Sequence, residues 1–165
     1  MRTSHRKRNL KCFTFYNMDL QTEITLIPRL LVALLLGILI GLDREIHGHD
    51  AGIRTYASVC LGAALLTIIN THTEMADQTR IVANIVSGIG FLGAGIIFRD
   101  SSKNTISGLT TAATIWASAG VGIAIGYGMY LIGITSTLLI ILLLVSHHFP
   151  FFKAKYGKET RGNNE

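Results

Sequence analysis

The chain has 165 residues, of which 49% are hydrophobic and only 15% are Asp, Glu, Lys or Arg. Soluble domains carry about 25% charged residues, and here the charge is confined to tails and connections, which excludes an ordinary water-soluble globule. The formal net charge of +5 does not point to nucleic acid, because the basic residues sit in the tails and at span ends, with no groove interleaved with aromatics.

In chain order, residues 1–22 form a basic tail with Arg2, Arg6, Lys7, Arg8 and Lys11. Translation from Met18 would make most of that tail dispensable. The first span is expected over residues 24–42, with Pro28 in its first turn, where a missing N–H costs least. A second follows at 55–70, a third at 81–98, a fourth at 108–125 and a fifth at 129–145. Each approaches the roughly 20 apolar residues that cross a bilayer, and the series is too long and too repeated for a signal peptide. Within lipid only helices and closed barrels satisfy every backbone polar group, and these runs lack the alternation of barrel strands. The expectation is therefore an all-α, polytopic bundle of about five transmembrane helices over 23–148, followed by a short cytoplasmic basic tail at 149–165. Tyr127 and Tyr130, with Phe149, Phe151 and Phe152, read as interfacial aromatics.

Five spans place the termini on opposite sides. Arg44, Arg54, Arg99, Lys103, Lys153, Lys155, Lys158 and Arg161 share one side, against Arg29 and Arg80 on the other. Without the N-terminal tail this bias makes the C-terminus cytoplasmic; with its five basic residues the sides nearly balance. At an ungapped offset of 56, Leu36, Gly37, Ile40, Gly52, Thr55, Ala57 and Ala63 meet Leu92, Gly93, Ile96, Gly108, Thr111, Ala113 and Ala119. Two hairpins repeated in parallel about the membrane normal, plus a fifth helix, would explain that match.

The third span crowds Gly88, Gly90, Gly93 and Gly95 beside Ser87. Small residues let membrane helices approach closely, so a stripe of Ala83, Ser87, Gly90 and Ala94 is expected to meet Ala113, Ala117, Gly120 and Ala124. The sharper alternative is a broken helix lining a pathway. The intramembrane polar residues are Asn84, Thr110, Thr111, Thr114 and Ser118, read first as interhelical glue and second as an ion or substrate path. At one membrane edge Asp43, Arg44, Glu45, Arg54, Arg99 and Asp100 form a charge cluster. It reads as a salt-bridge network or as a cation or regulator site, in which Asp43 and Glu45 are metal-ligand candidates for a hydrated Mg²⁺. Cys12 and Cys60 have no metal or disulfide spacing. His47, His49, His72, His147 and His148 lie at interfaces, near the pH range in which imidazoles titrate. No nucleophile–base pair, phosphate loop or dinucleotide glycine pattern is present, so an enzyme is not expected and no resident cofactor is implied.

Three blocks resemble the MgtC/SapB family of bacterial inner-membrane proteins. They are GLDRE with AGIRT at 41–45 and 51–55, RIVANIVSGIGFLGAGIIF at 80–98, and GLTTAATIWASAGVGIAIGYGMY at 108–130. Asn84 stands where many members have Gln, and Thr110 where some have Asn. Many members also carry a soluble C-terminal domain, for which the residues after the fifth span are too few. The resemblance implies five spans, a cytoplasmic C-terminus and a role in magnesium-limited growth or acid and stress physiology. It leaves two functions open. One is a non-enzymatic regulator that binds other integral membrane proteins through small-residue faces, with a homodimer compatible with the same stripes. The other is a transporter or channel for Mg²⁺ or another cation.

Overall fold

The computed structural model describes residues 20–72, 78–100 and 105–146. The expectations for both tails, Met18, Cys12, His147, His148 and the terminal phenylalanines lie outside them. Five helices follow in order: α1 (Leu20–Ile46), α2 (Ile53–His72), α3 (Gln78–Ile96), α4 (Leu109–Gly126) and α5 (Tyr130–Ser146). Four are long and apolar enough to cross a membrane. The fifth, at 17 residues, lies at the lower limit of a span. The molecule is an all-α helical bundle and a multi-pass membrane protein.

Each helix boundary shifts from expectation by one to four residues, and two shifts change the local structure. α1 begins at Leu20, so Pro28 lies inside the helix rather than in its first turn; neighbouring helices let a membrane bundle tolerate such a proline. α3 stops at Ile96, and the segment expected as its end and a loop forms a two-stranded antiparallel ribbon. Its strands are β1 (Phe98–Asp100) and β2 (Thr105–Ser107), with Arg99 opposite Ile106. Gly108 joins β2 to α4 at φ 86°, with its Cα against the Ile96 carbonyl, so a residue there needs both a left-handed backbone and no side chain. α3 itself is a continuous helix despite its glycines.

The centre is α2 against α4. These two run parallel, with Tyr56 beside Thr114 and Cys60 beside Ser118. Gly122 and Gly126 press on the backbone and side chains of Cys60, Ala63, Ala64 and Thr67. α1 packs antiparallel on α2, where Gly37 and Gly41 meet Ala57, Tyr56 and Ile53. α5 lies across α1 and α4, with Gly133 over Ile125 and near Leu36. α4 ends in a Schellman turn: Gly128 at φ 79° donates to the Ile125 carbonyl and Met129 donates to that of Ala124.

The two hairpins use equivalent contacts. Gly37 approaches Tyr56 and Ala57, and 56 residues later Gly93 approaches Ala112. The environments then diverge. α5 lies against α1, whereas no described helix takes the corresponding place beside α3, so Leu36 is 8% exposed and its counterpart Leu92 is 41% exposed.

Candidate functional site

The expected charge cluster separates into several distinct settings. Glu45 turns back to the start of α2, where its Oε2 accepts from the Ile53 N–H at 2.8 Å. A carboxylate there complements the positive end of α2, and the same oxygen occupies the space a side chain on residue 52 would need, hence Gly52. Asp43 lies beside His47, whose Nδ1 is 3.5 Å from the Asp43 carboxylate and 2.6 Å from its carbonyl oxygen. Two residues apart on one helix, Asp43 and Glu45 do not face each other and engage different partners. Among the described residues, no three His, Cys, Asp or Glu side chains gather as a metal-holding group. Arg54 and Arg99 are exposed. Asp100 lies in β1, and its side chain is outside the described residues.

Arg44 behaves differently. It is 6% exposed, enclosed where Gly41 lets α1 close on Ile53 of α2. Its Nη2 donates to Thr111 Oγ1 at 3.0 Å, and its guanidinium lies close to the Tyr56 hydroxyl. Tyr56 is fully buried, with its hydroxyl 2.6 Å from Thr114 Oγ1. Arg44, Tyr56, Thr111 and Thr114 thus form one polar knot joining α1, α2 and α4. Above it, the His49 N–H donates to the Arg44 carbonyl. Partial burial, and then the Arg44 and His47 charges, hold the His49 imidazole below its ordinary value of 6.5.

The remaining intramembrane polar residues divide by face. Ser118 is buried and donates to the Ile115 carbonyl, while Thr114 bonds back to the carbonyls of Thr110 and Thr111. Asn84 and Thr110 are exposed. Sequence reasoning missed Tyr56 as a site residue. The signal was present: Tyr56, Cys60, Ala63, Thr67 and Asn70 recur at four- and three-residue steps, and all are buried.

The glycines of α3 do not pack as expected. Only Gly93 meets a neighbour, Ala112; a Cβ added at Gly88, Gly90 or Gly95 would find no atom within 4 Å. Ser87 is exposed, as are Ala83 and Ala94, and Gly120 on α4 is also open. The two small-residue stripes therefore do not meet, because the close approach of Gly108 to Ile96 sets α3 on the Ala112 side of α4.

This arrangement is that of a polytopic helix bundle with a buried polar knot at one membrane edge and, among the described residues, an uncovered glycine face on one helix. The profile of the MgtC family matches residues 30–149, and the chain belongs to that family. It is 45% identical over 115 residues to Protein MgtC of Salmonella typhimurium, covering 70% of this chain and 49% of that protein. Protein SapB of Bacillus subtilis is 38% identical over 137 residues, covering 78% of this chain and 58% of that protein. Protein SrpB of Synechococcus elongatus is 39% identical over 129 residues, covering 70% and 71% respectively. The chain thus spans about half the length of the Salmonella relative. No solved structure matches.

Proposed function

We propose that this protein is a non-enzymatic regulator in the bacterial inner membrane that binds other integral membrane proteins, in the magnesium or acid-stress physiology its family resemblance implies. The observation that carries this reading is the uncovered side of α3. α1 has α5 laid against it, while its counterpart α3 leaves Leu92, Gly88, Gly90 and Gly95 uncovered by any described helix. A transmembrane helix from a partner would find there an apolar face whose glycines permit close backbone contact. In this reading the C-terminus is cytoplasmic, following the excess of Lys and Arg on the Arg44 side.

The structure gives less support to a cation conduit along α4. The Thr111–Ser118 face is filled by α1 and α2, and its mouth carries the Arg44 guanidinium, which repels cations. The experiment places a photo-crosslinking residue at Leu92, with a control at Leu31, another exposed apolar position on α1. The expected result is a defined membrane-protein adduct at Leu92, absent at Leu31 and lost in Gly90→Leu. In parallel, Mg²⁺ flux is measured in proteoliposomes. Selective flux abolished by Asp43→Asn or Glu45→Gln would defeat the regulator and establish the transporter, and an adduct with a second copy of the chain would identify a homodimer.

A further inference from the structure

α4 begins without a cap. Its N-cap is Gly108, which has no side chain to offer, and its first turn contains no acidic residue. The first helical bond runs from the Ala112 N–H to the Gly108 carbonyl, so the N–H groups of Leu109, Thr110 and Thr111 have no acceptor within the helix. Those groups carry the positive end of the helix dipole. Against this turn lies the guanidinium of Arg44, joined to it through Thr111 Oγ1. Among the described residues no carboxylate pairs with Arg44, and its buried Nε–H has no acceptor. A buried cation therefore faces the positive end of a helix. Both are unfavourable alone in a low-dielectric setting, and together they repel.

We propose that Arg44 and the uncapped first turn of α4 form a binding site for a phosphate-type oxyanion. One oxygen would accept from the Arg44 guanidinium, and others from the N–H groups of the turn that have no acceptor among the described residues, the pattern by which helix N-termini hold phosphate. Leu109 and Thr110 are exposed, so the turn is open to the membrane edge. There the phosphate can belong to an anionic lipid headgroup or be free in solution.

The test uses the full chain in nanodiscs of phosphatidylcholine. Inorganic phosphate is titrated by calorimetry. Separately, nanodiscs containing phosphatidylglycerol are used to score lipid retained by the protein in native mass spectrometry. Arg44→Gln is expected to weaken binding roughly 10-fold or more, in line with loss of a charge-assisted hydrogen bond. Thr111→Val, which removes the hydroxyl that anchors the guanidinium, should weaken it several-fold. Circular dichroism of both variants establishes that they are folded, and Arg44→Lys serves if Arg44→Gln is not. Phosphate binding alone assigns the site to a free oxyanion, and phosphatidylglycerol retention alone assigns it to lipid; either supports the proposal if it depends on Arg44. Absence of both, or equal binding by a folded Arg44 variant and the parent, overturns it.

Discussion

Gly37→Ala and Gly90→Ala are the same chemical change on two membrane helices, and the structure gives them opposite signs. A Cβ at residue 37 would lie 2.7 Å from the Ala57 Cα and 2.7 Å from the Tyr56 carbonyl oxygen. Both are backbone atoms and cannot rotate away, so α1 and α2 must separate. Overpacking of this kind costs about 1–3 kcal/mol, offset by roughly 1 kcal/mol from the better helix propensity of alanine. The net expectation for Gly37→Ala is a loss of up to about 2 kcal/mol. At residue 90 the added methyl group meets no atom within 4 Å, so only the propensity gain remains, up to about 1 kcal/mol in favour. Reversible unfolding in mixed micelles, followed by Trp116 fluorescence, measures both against the parent. If Gly90→Ala destabilises as much as Gly37→Ala, the α3 face is packed within this chain, and the reasoning that leaves it for a partner fails. If Gly90→Ala is neutral for stability while Gly90→Leu abolishes the Leu92 crosslink, packing and recognition are separated on one helix.

Glu45→Ala should destabilise by about 1 kcal/mol, through loss of the carboxylate that accepts from the Ile53 N–H; amide exchange at Ile53 should rise with it. Tyr56→Phe removes the bond to Thr114 and should cost about 0.5–1.5 kcal/mol in the same unfolding assay. The folded pKa of His49 is lowered, so the folded state binds fewer protons than the unfolded one. Its contribution therefore favours folding above 6.5 and is lost as pH falls from 6.5 through the lower folded pKa. The thermal midpoint should fall over that interval, and less so in His49→Gln; a parent and variant with parallel pH profiles would remove His49 from the account.

The existence and order of the spans were legible, because lipid demands long apolar helices whatever their neighbours. Their packing was not. In a soluble protein, apolar residues mark the inward face, but here core and lipid are both apolar, and small residues occur on either side. Gly37 and Gly122 are pressed against other helices, while Gly88, Gly90 and Gly120 are open, and no local pattern separates the two groups. The hairpin repeat was visible as identities at an offset of 56, and its contacts at Gly37 and Gly93 are equivalent. That α5 packs on α1 and not in the same way on its counterpart α3 depends on tertiary placement. The charge cluster was visible as a set of residues, but not as the separate settings they occupy. Long edge side chains usually extend toward water, so the burial of Arg44 depends on the approach of Gly41 to Ile53, which lies in another helix.

The two arginines of α1 bracket α4 and should behave oppositely. Arg29 and Arg44 are about 22 Å apart along α1 at 1.5 Å per residue, close to the length of α4. Arg29 Nη1 donates to the Gly126 carbonyl at 3.1 Å, at the negative end of α4, and its guanidinium lies over Gly128. That contact satisfies a terminal carbonyl and suits the dipole, a contribution of about 0.3–1 kcal/mol beyond the hydrogen bond. Arg44 meets the positive end of the same helix without a carboxylate among the described residues. Arg29→Met should therefore lower the unfolding free energy of the protein in phosphate-free zwitterionic micelles. Arg44→Met should leave it unchanged or raise it, because it removes the desolvation cost of a buried charge that no carboxylate among the described residues offsets. A loss of about 3–5 kcal/mol in Arg44→Met is the signature of a broken buried ion pair. It would mean that Arg44 is neutralised from within the chain, and that the first turn of α4 needs no anion.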